Sequence, residues 1–434
     1  MPVCSLPSLA RASVLSVVLL SVALTGCKKN KPPAINFNQQ LAPGQLALRK
    51  IPLEQYPDFS QATWNLNVLG PSIDNSLRYM AHGSSRQYFP YLDITHERAQ
   101  ASLRAFRELI ANASTKGTGA GPYINEQIRA NFEVYKSYGA PKPDGPGFTD
   151  TVLFTGYFTP IYEASLTRTG QFQWPLYRRP ADLVSDPLTG SAIGRKNPDG
   201  SLSSGAYWTR AEIEGQNKLA GLELVYLKTR WEAYVITVQG SARLRLTDGR
   251  TLEVGYAGNN GYTYTSPGRQ MVQDGVINAE SLSFKTLTSY FASHPQDMDK
   301  YLWLNKRFVF FTETHGGPYG SLNVPVTSFA SIATDKNELP NIYPRSMPAF
   351  LIAPVPRTDN PEVKWTFRGF MMDQDSGGAI RASGRCDIYM GIGDQAEGLA
   401  GHQLSEGELY YIAVKPELMS RYAAPTPAEN LSGK

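Results

Sequence analysis

Charged side chains are scarce in this chain, and they form no long run of one sign. Asp, Glu, Lys and Arg make up 18% of the 434 residues, with 42 basic against 38 acidic side chains and a net charge of +4. This share lies below the roughly 25% of an ordinary globular protein, which excludes wholesale disorder. The mildly basic balance suits an anionic polymer, but without a Lys/Arg run it does not single out nucleic acid.

Histidine is also rare, and the motifs of several enzyme classes are absent. No two of the five histidines share a metal-ligand spacing: His82, His96, His294, His315 and His402. A zinc site is therefore not expected. The sequence contains no Gly-x-Ser-x-Gly elbow and no recognisable Cys–His pairing, so serine or cysteine acyl transfer has no support.

One of the three cysteines follows a short apolar stretch near the N-terminus. The stretch at residues 12–24 is too short for a helix to cross a bilayer core of about 30 Å. A Leu-Thr-Gly-Cys motif then ends at Cys27 and resembles the lipobox of bacterial lipoproteins. We expect residues 1–26 to be a signal peptide and Cys27 to be lipidated. Lys28, where an inner-membrane retention signal carries Asp, favours the periplasmic face of the outer membrane. An ordinary secretory signal with a chance cysteine is the alternative.

The other cysteines have no disulfide partner on this interpretation. Signal cleavage would remove Cys4, lipidation would use Cys27, and Cys386 would stay unpaired. An exported protein without disulfides must be stabilised by its hydrophobic core, and this chain is long enough to bury one. The polar, Pro-containing residues 27–44 are expected to form a tether.

Helical periodicity is concentrated early in the chain, and strands predominate later. A helix is expected after the N-cap Thr95, a second over residues 122–138, and a short third after the capping box that begins at Thr209. Strands are expected at residues 152–158, 233–238, 308–312, 364–372, 387–391 and 409–414. The sequence therefore predicts a mainly β protein of the α+β class.

The densest group of chemically useful residues is a Gly-rich stretch at residues 373–393. Gly377 and Gly378 carry no side chain and would let a bulky ligand approach the backbone closely. Side chains alternate along an extended strand, which predicts two faces: Arg385, Asp387 and Tyr389 toward a cleft, and Cys386, Ile388 and Met390 toward a core. A single Asp beside Gly is more often a turn or an ion pair, so this stretch alone does not establish a site.

Several segments in a fixed order carry a resemblance to a known family. They are residues 154–160, 174–180, 238–242, 255–262, 308–311, 324–327, 332–335 and 375–387. Together they resemble the membrane-bound lytic murein transglycosylase A family over most of the chain. Small departures are Ala242 in place of Gly, Phe158 in place of Tyr, and Lys336 at the start of a segment that more commonly reads Arg-Ser-Leu/Ile. They bear on substrate detail more than on activity.

The resemblance implies a fold that periodicity could not supply. It implies a six-stranded double-psi β-barrel domain formed by residues 45–159 and 315–420, with a second β domain inserted at 160–314. Residues 421–434 would be a tail. The glycan cleft would lie between the two domains.

The implied activity is lytic cleavage of peptidoglycan, a lyase reaction on a polysaccharide. The muramyl 6-hydroxyl attacks C1 of its own sugar and leaves a 1,6-anhydro end. Asp387 would be the single acid and base, Asp375 would position or tune it, and no metal or organic cofactor is needed. The substrate-binding positions would be Thr155, Gly156, Tyr157, Gln239, Ser241, Asp335, Gly377, Gly378 and Tyr389. Gln239 and Ser241 could instead close a turn, and a structural role for Asp335 is as well supported as a direct one.

Two other functions stay open at this stage. One is a non-catalytic peptidoglycan-binding barrel lipoprotein, and the other is a hydrolytic muramidase in which water attacks. Asp387 together with Asp375 and Thr155 favours an enzyme, since a pure binder needs no positioned acid. The expected partners are peptidoglycan glycan strands and, through the lipid, the outer membrane. A wall-synthesis or division complex and a monomeric state are further hypotheses.

Overall fold

The computed structural model describes residues 34–187, 190–336 and 340–423. The predicted signal peptide, the lipidation at Cys27 and nearly all of the predicted tail lie outside these residues. Within the described residues, every helix is too short or too polar to cross a membrane.

The described residues contain helices and strands along their whole length, with the three longest helices near the start. The helices are α1 (Leu66–Ala81), α2 (His96–Ser114), α3 (Ala120–Asn131), α4 (Arg210–Gly215), α5 (Arg230–Gln239), α6 (Pro267–Gln273), α7 (Phe284–Ser293), α8 (Met298–Leu302) and α9 (Asp394–His402). The strands are β1 (Leu48–Ile51), β2 (Phe132–Ser137), β3 (Val152–Thr159), β4 (Ile161–Ser165), β5 (Trp174–Tyr177), β6 (Leu183–Ser185), β7 (Ala192–Lys196), β8 (Leu202–Ser204), β9 (Glu223–Leu227), β10 (Ser241–Leu246), β11 (Thr251–Asn259), β12 (Val309–Thr314), β13 (Ser331–Ala333), β14 (Pro348–Pro356), β15 (Lys364–Asp375), β16 (Arg385–Ile392) and β17 (Leu404–Val414). The mainly β, α+β class is confirmed.

The largest sheet closes on itself as a six-stranded barrel. The strands follow the order β17, β14, β15, β13, β16 and β3, and β3 pairs back onto β17. The β13–β15 and β16–β3 pairs are parallel, and the other pairs of the ring are antiparallel. Because β3 comes from before the middle of the chain and the other strands from its C-terminal part, both parts build one barrel. The predicted six-stranded barrel is confirmed.

The barrel core follows the predicted alternation along β16. Cys386, Ile388 and Met390 are almost fully buried, as the period of two requires. Helices α1 and α2 pack on the barrel and contribute to the same hydrophobic cluster. Gly156 in β3 lets α9 approach, since a Cβ there would lie 2.8 Å from the Cα of Ala400. Of the side chains that alternate with this core, Arg385 and Asp387 stay partly exposed, whereas Tyr389, which was also predicted to face a cleft, is buried.

A second sheet takes up the chain between β3 and β13. Its strand order is β12, β11, β10, β4, β9 and β5, and a smaller sheet contains β6, β7 and β8. The chain leaves the barrel between Thr159 and Ile161, and β12, the edge strand of the second sheet, ends at Thr314. The division into domains with boundaries at 160 and 314 stays a prediction.

Two local predictions were wrong. Residues 233–238, expected as a strand, lie in α5, which begins with a capping box formed by Thr229 and Glu232. Burial of its apolar face outweighs the strand preference of its β-branched residues. The helix expected over 122–138 ends at Asn131, and the rest is β2, which pairs with β1 and β17. The helix starts at Thr95 and Thr209 are confirmed.

Candidate active site

A cavity of about 410 Å³ is lined by residues of both larger sheets. Most of the predicted site residues line it, namely Gly156, Tyr157, Gln239, Ser241, Asp375, Gly377, Gly378 and Asp387. Thr155, Asp335 and Tyr389 lie outside this lining. Chain folding thus brings Asp375 and Asp387 of the Gly-rich stretch to one cavity.

Asp387 is held by the strand beside it and by its own strand. The parallel pairing of β16 with β3 places Asp387 opposite Thr155, whose hydroxyl donates a hydrogen bond to Oδ1 of Asp387. The Arg385 guanidinium lies 3.4 Å from the same Oδ1 and donates to the Thr155 hydroxyl at 3.0 Å. Asp387 remains 17% exposed. Arg385, which shares a face of β16 with Asp387, is therefore its ion-pair partner.

Asp375 lies at the end of β15 and accepts three hydrogen bonds. The backbone N–H groups of Ser321 and Ser376 donate to Oδ1 at 2.7 and 2.8 Å, and the Tyr157 hydroxyl donates to Oδ2 at 2.9 Å. Burial raises the pKa of Asp375, and these hydrogen bonds oppose that shift. Burial and the nearby Asp375 raise the pKa of Tyr157 well above its ordinary value. Tyr157 therefore keeps its proton and serves as a donor to Asp375.

Gln239, Ser241 and Tyr389 surround the end of β3. Gln239 is the last residue of α5, and its side-chain oxygen accepts the backbone N–H of Phe158 at 3.1 Å. The hydroxyls of Ser241 and Tyr389 lie 3.0 and 2.9 Å from the Thr159 hydroxyl. Tyr389 is only 2% exposed, and its ring packs 5.1 Å from that of Tyr157. These side chains tie the two sheets together beside the cavity.

Sequence reasoning missed a buried ion pair behind Asp375. The Lys336 ammonium donates to Oδ1 of Asp373 at 2.5 Å, to the Thr334 hydroxyl at 2.7 Å and to the backbone carbonyl of Asp375 at 2.8 Å. The Tyr411 hydroxyl donates to Oδ2 of Asp373 at 2.7 Å. Burial lowers the pKa of Lys336 and raises the pKa of Asp373, while the pairing opposes both shifts. The only signal in the sequence was the departure from the usual Arg at Lys336.

No group of three His, Cys, Asp or Glu side chains in the described ranges could hold a metal ion. The ionisable side chains that line the cavity are carboxylates, arginines, a lysine and several tyrosines. Such an arrangement can transfer protons and bind polar or anionic groups.

Comparisons with known families agree with the two-sheet architecture. The MltA specific insert domain matches residues 153–312, and the 3D domain matches residues 330–413. The structure of a membrane-bound lytic murein transglycosylase from Agrobacterium tumefaciens has a TM-score of 0.67 at 24% identity and covers 87% of this chain and 99% of its own. That of Escherichia coli MltA with bound chitohexaose has a TM-score of 0.61 at 24% identity and covers 89% and 98%. These likenesses establish the fold.

Sequence relatives extend the comparison. The membrane-bound lytic murein transglycosylase A of Escherichia coli K12 is 31% identical over 305 residues, which cover 68% of this chain and 75% of that protein. The protein of the same name from Vibrio cholerae is 30% identical over 271 residues, which cover 61% and 66%. The chain therefore belongs to the membrane-bound lytic murein transglycosylase A family.

Proposed function

We propose that this protein is a lytic transglycosylase of the cell envelope. It cleaves the β-1,4 bond between N-acetylmuramic acid and N-acetylglucosamine in peptidoglycan. The support from the comparisons is that its relatives are named lytic murein transglycosylases. The observation that carries the proposal is the arrangement at Asp387. Within the described residues, its hydrogen bonds, from Thr155 and Arg385, both end on Oδ1. Oδ2 is therefore left to meet a substrate in the cavity.

The reaction needs one group that first donates a proton and then accepts one. Protonated Asp387 gives its proton to the glycosidic oxygen as the bond from C1 to that oxygen breaks. Its carboxylate then takes the proton of the muramyl 6-hydroxyl as O6 bonds to C1. The products are a free 4-hydroxyl and a 1,6-anhydro ring, no water is consumed, and Asp387 regains its proton. Thr155 and Arg385 stabilise the carboxylate between the two steps.

The environment of Asp375 supports attack by the sugar hydroxyl over attack by water. A hydrolytic muramidase needs a second carboxylate that is free to act as base or nucleophile. Both oxygens of Asp375 are already acceptors for Ser321, Ser376 and Tyr157. Asp375 accordingly acts as a positioning residue that fixes Tyr157 at the cavity wall.

The remaining predicted residues form the walls around this centre. Gly156, Gln239, Ser241, Gly377 and Gly378 line the cavity and would contact the glycan. Asp335 and Tyr389, which are buried outside the lining, would support those walls. The catalytic cleft would then lie between a barrel domain of residues 45–159 and 315–420 and an inserted domain of residues 160–314.

The test is mass spectrometry of the products released from purified sacculi. The wild-type protein should release anhydro-muropeptides, and Asp387→Asn should reduce their rate of release by about 10²- to 10⁴-fold. Asp359→Asn is the matched control, because Asp359 is an exposed surface residue paired with Arg357. Reducing ends in place of anhydro ends would make the protein a muramidase. Binding without release would make it a wall-binding module.

We also propose that the protein is a lipoprotein anchored through Cys27 to the periplasmic face of the outer membrane. The support is the lipobox-like motif after residues 12–24 and the membrane-bound relatives. Cys27→Ser should abolish lipid labelling and release the protein from the membrane fraction. A chain starting at residue 28 should remain active on sacculi.

The same soluble chain also tests two further proposals. Light scattering measures whether it is monomeric, and its capture of wall-synthesis proteins tests the proposed complex.

A further inference from the structure

Two arginines converge on one of the glycines of the cavity. Arg307 precedes β12 of the second sheet, Arg381 lies between β15 and β16 of the barrel, and both line the cavity that contains Asp387. A Cβ on Gly378 would lie 2.5 Å from Nε of Arg307. Arg381 donates from Nε to the carbonyl of Gly378 at 3.2 Å. The missing side chain of Gly378 therefore makes room for a guanidinium, and the two cations come from segments next to strands of different sheets.

The other basic residues that line the cavity already have partners. Lys336 pairs with Asp373, and Arg345 lies over the Tyr88 ring and donates to Oδ1 of Asn341. Among the described residues, no carboxylate oxygen lies within 4 Å of the guanidinium of Arg307 or Arg381. Arg307 instead donates to the carbonyl of Tyr262 at 3.2 Å and interacts with the side chain of Tyr256.

The pair is electrostatically costly as it stands. Burial and the positive charge of Arg381 lower the pKa of Arg307. Two like charges partly withdrawn from water destabilise a folded protein unless an anion accompanies them. A guanidinium presents paired donors that match a carboxylate, so two adjacent guanidinium groups favour this class of anion.

We propose that Arg307 and Arg381 form a carboxylate subsite that binds the acid groups of the substrate's peptide stems. The inference rests on the proposed function, since the glycan strands of peptidoglycan carry their stem peptides on the muramyl units. Neither arginine has a hydrogen bond to Asp387 or Asp375 among the described residues. The subsite therefore acts on binding and register of the strand, not on proton transfer.

The experiment compares two substrates that differ only in charge. Soluble glycan strands with intact stems are used as such, or after their carboxylates have been converted to neutral amides. The wild-type protein should lose about tenfold in kcat/KM on the amidated strands. Arg381→Gln should lower kcat/KM by a similar factor on the intact strands. On the amidated strands it should have little further effect, because the interaction between the arginine and the carboxylate is already absent there. The lower kcat/KM should come from a higher KM, with kcat unchanged.

Matched variants separate this effect from folding. Arg307→Gln should behave like Arg381→Gln, and Arg381→Lys should recover part of the loss. Arg357→Gln, at an exposed arginine paired with Asp359 outside the cavity, should leave both rates unchanged. Urea unfolding identifies any variant that is simply destabilised. Equal losses on both substrates for Arg307→Gln and Arg381→Gln, or a wild-type protein that does not distinguish the strands, would overturn the subsite.

A binding measurement keeps this test independent of turnover. The Kd of Asp387→Asn for the two kinds of strand should differ by about tenfold, and the added Arg381→Gln change should remove that difference. If the wild-type protein yields no anhydro ends from either substrate, the proposed function fails. The subsite is still confirmed or refuted by the Kd values.

Discussion

Replacing Lys336 by Met should lower the free energy of unfolding more than almost any substitution at the surface. The Lys336 and Asp373 side chains are 1% and 0% exposed, so the change leaves a carboxylate buried without its cation. Removing one partner of a buried ion pair typically lowers the free energy of unfolding by about 3–5 kcal/mol. Thr334 and Tyr411 still donate to Oδ2 of Asp373, but they carry no compensating charge. We expect a loss within that range at pH 7.5.

The loss should depend on pH in a defined direction. Burial already raises the pKa of Asp373, and the positive charge of Lys336 makes the largest contribution that opposes this shift. Without Lys336 the pKa of Asp373 rises further above its value in the unfolded chain. Folding then favours the protonated acid, so the missing stability returns below that raised pKa and is lost as pH rises through it. The difference from wild type should therefore be smaller at pH 5 than at pH 7.5.

Urea unfolding followed by circular dichroism measures both effects. The double variant Lys336→Met/Asp373→Asn should regain much of the stability, because a neutral amide replaces the unpaired charge. Lys50→Met is the matched control: Lys50 is 49% exposed in its ion pair with Glu133, and such pairs contribute about 0–1 kcal/mol. A loss below about 1 kcal/mol for Lys336→Met, or a double variant no better than the single one, would refute the reasoning.

Three further substitutions test the cavity. Thr155→Val removes the hydroxyl donor to Asp387 and should reduce turnover of sacculi by about 10- to 100-fold at unchanged urea midpoint, whereas Thr155→Ser should retain most activity. Tyr157→Phe removes one of the three donors to Asp375 and should reduce turnover about tenfold; wild-type rates would show that Asp375 does not act through Tyr157. Gly156→Ala places a Cβ 2.8 Å from the backbone of α9 and should lower the free energy of unfolding by about 1–3 kcal/mol in urea. Unchanged stability would mean that the helix shifts freely.

Local pattern was sufficient for the elements in which burial repeats along a single segment. The alternation in β16 correctly predicted that Cys386, Ile388 and Met390 are buried. The N-caps at Thr95 and Thr209 correctly predicted two helix starts. It failed in α5, where Thr229 and Glu232 form a capping box that the β-branched residues after it obscured. Propensity is a weak term, and the packing of an element against its neighbours decides such cases.

The sequence by itself was sufficient to predict the family and the six-stranded barrel, through the resemblance that its ordered motifs carry, and to select Asp375 and Asp387 as candidate site residues. Tertiary structure alone decided which groups meet them. Thr155 reaches Asp387 across 232 positions of the chain, and Lys336 reaches Asp373 across 37. Arg307, which precedes β12 of the second sheet, reaches Gly378. These contacts depend on strand register and barrel closure, which are set by the summed burial of the whole chain and leave no periodic trace in any one segment.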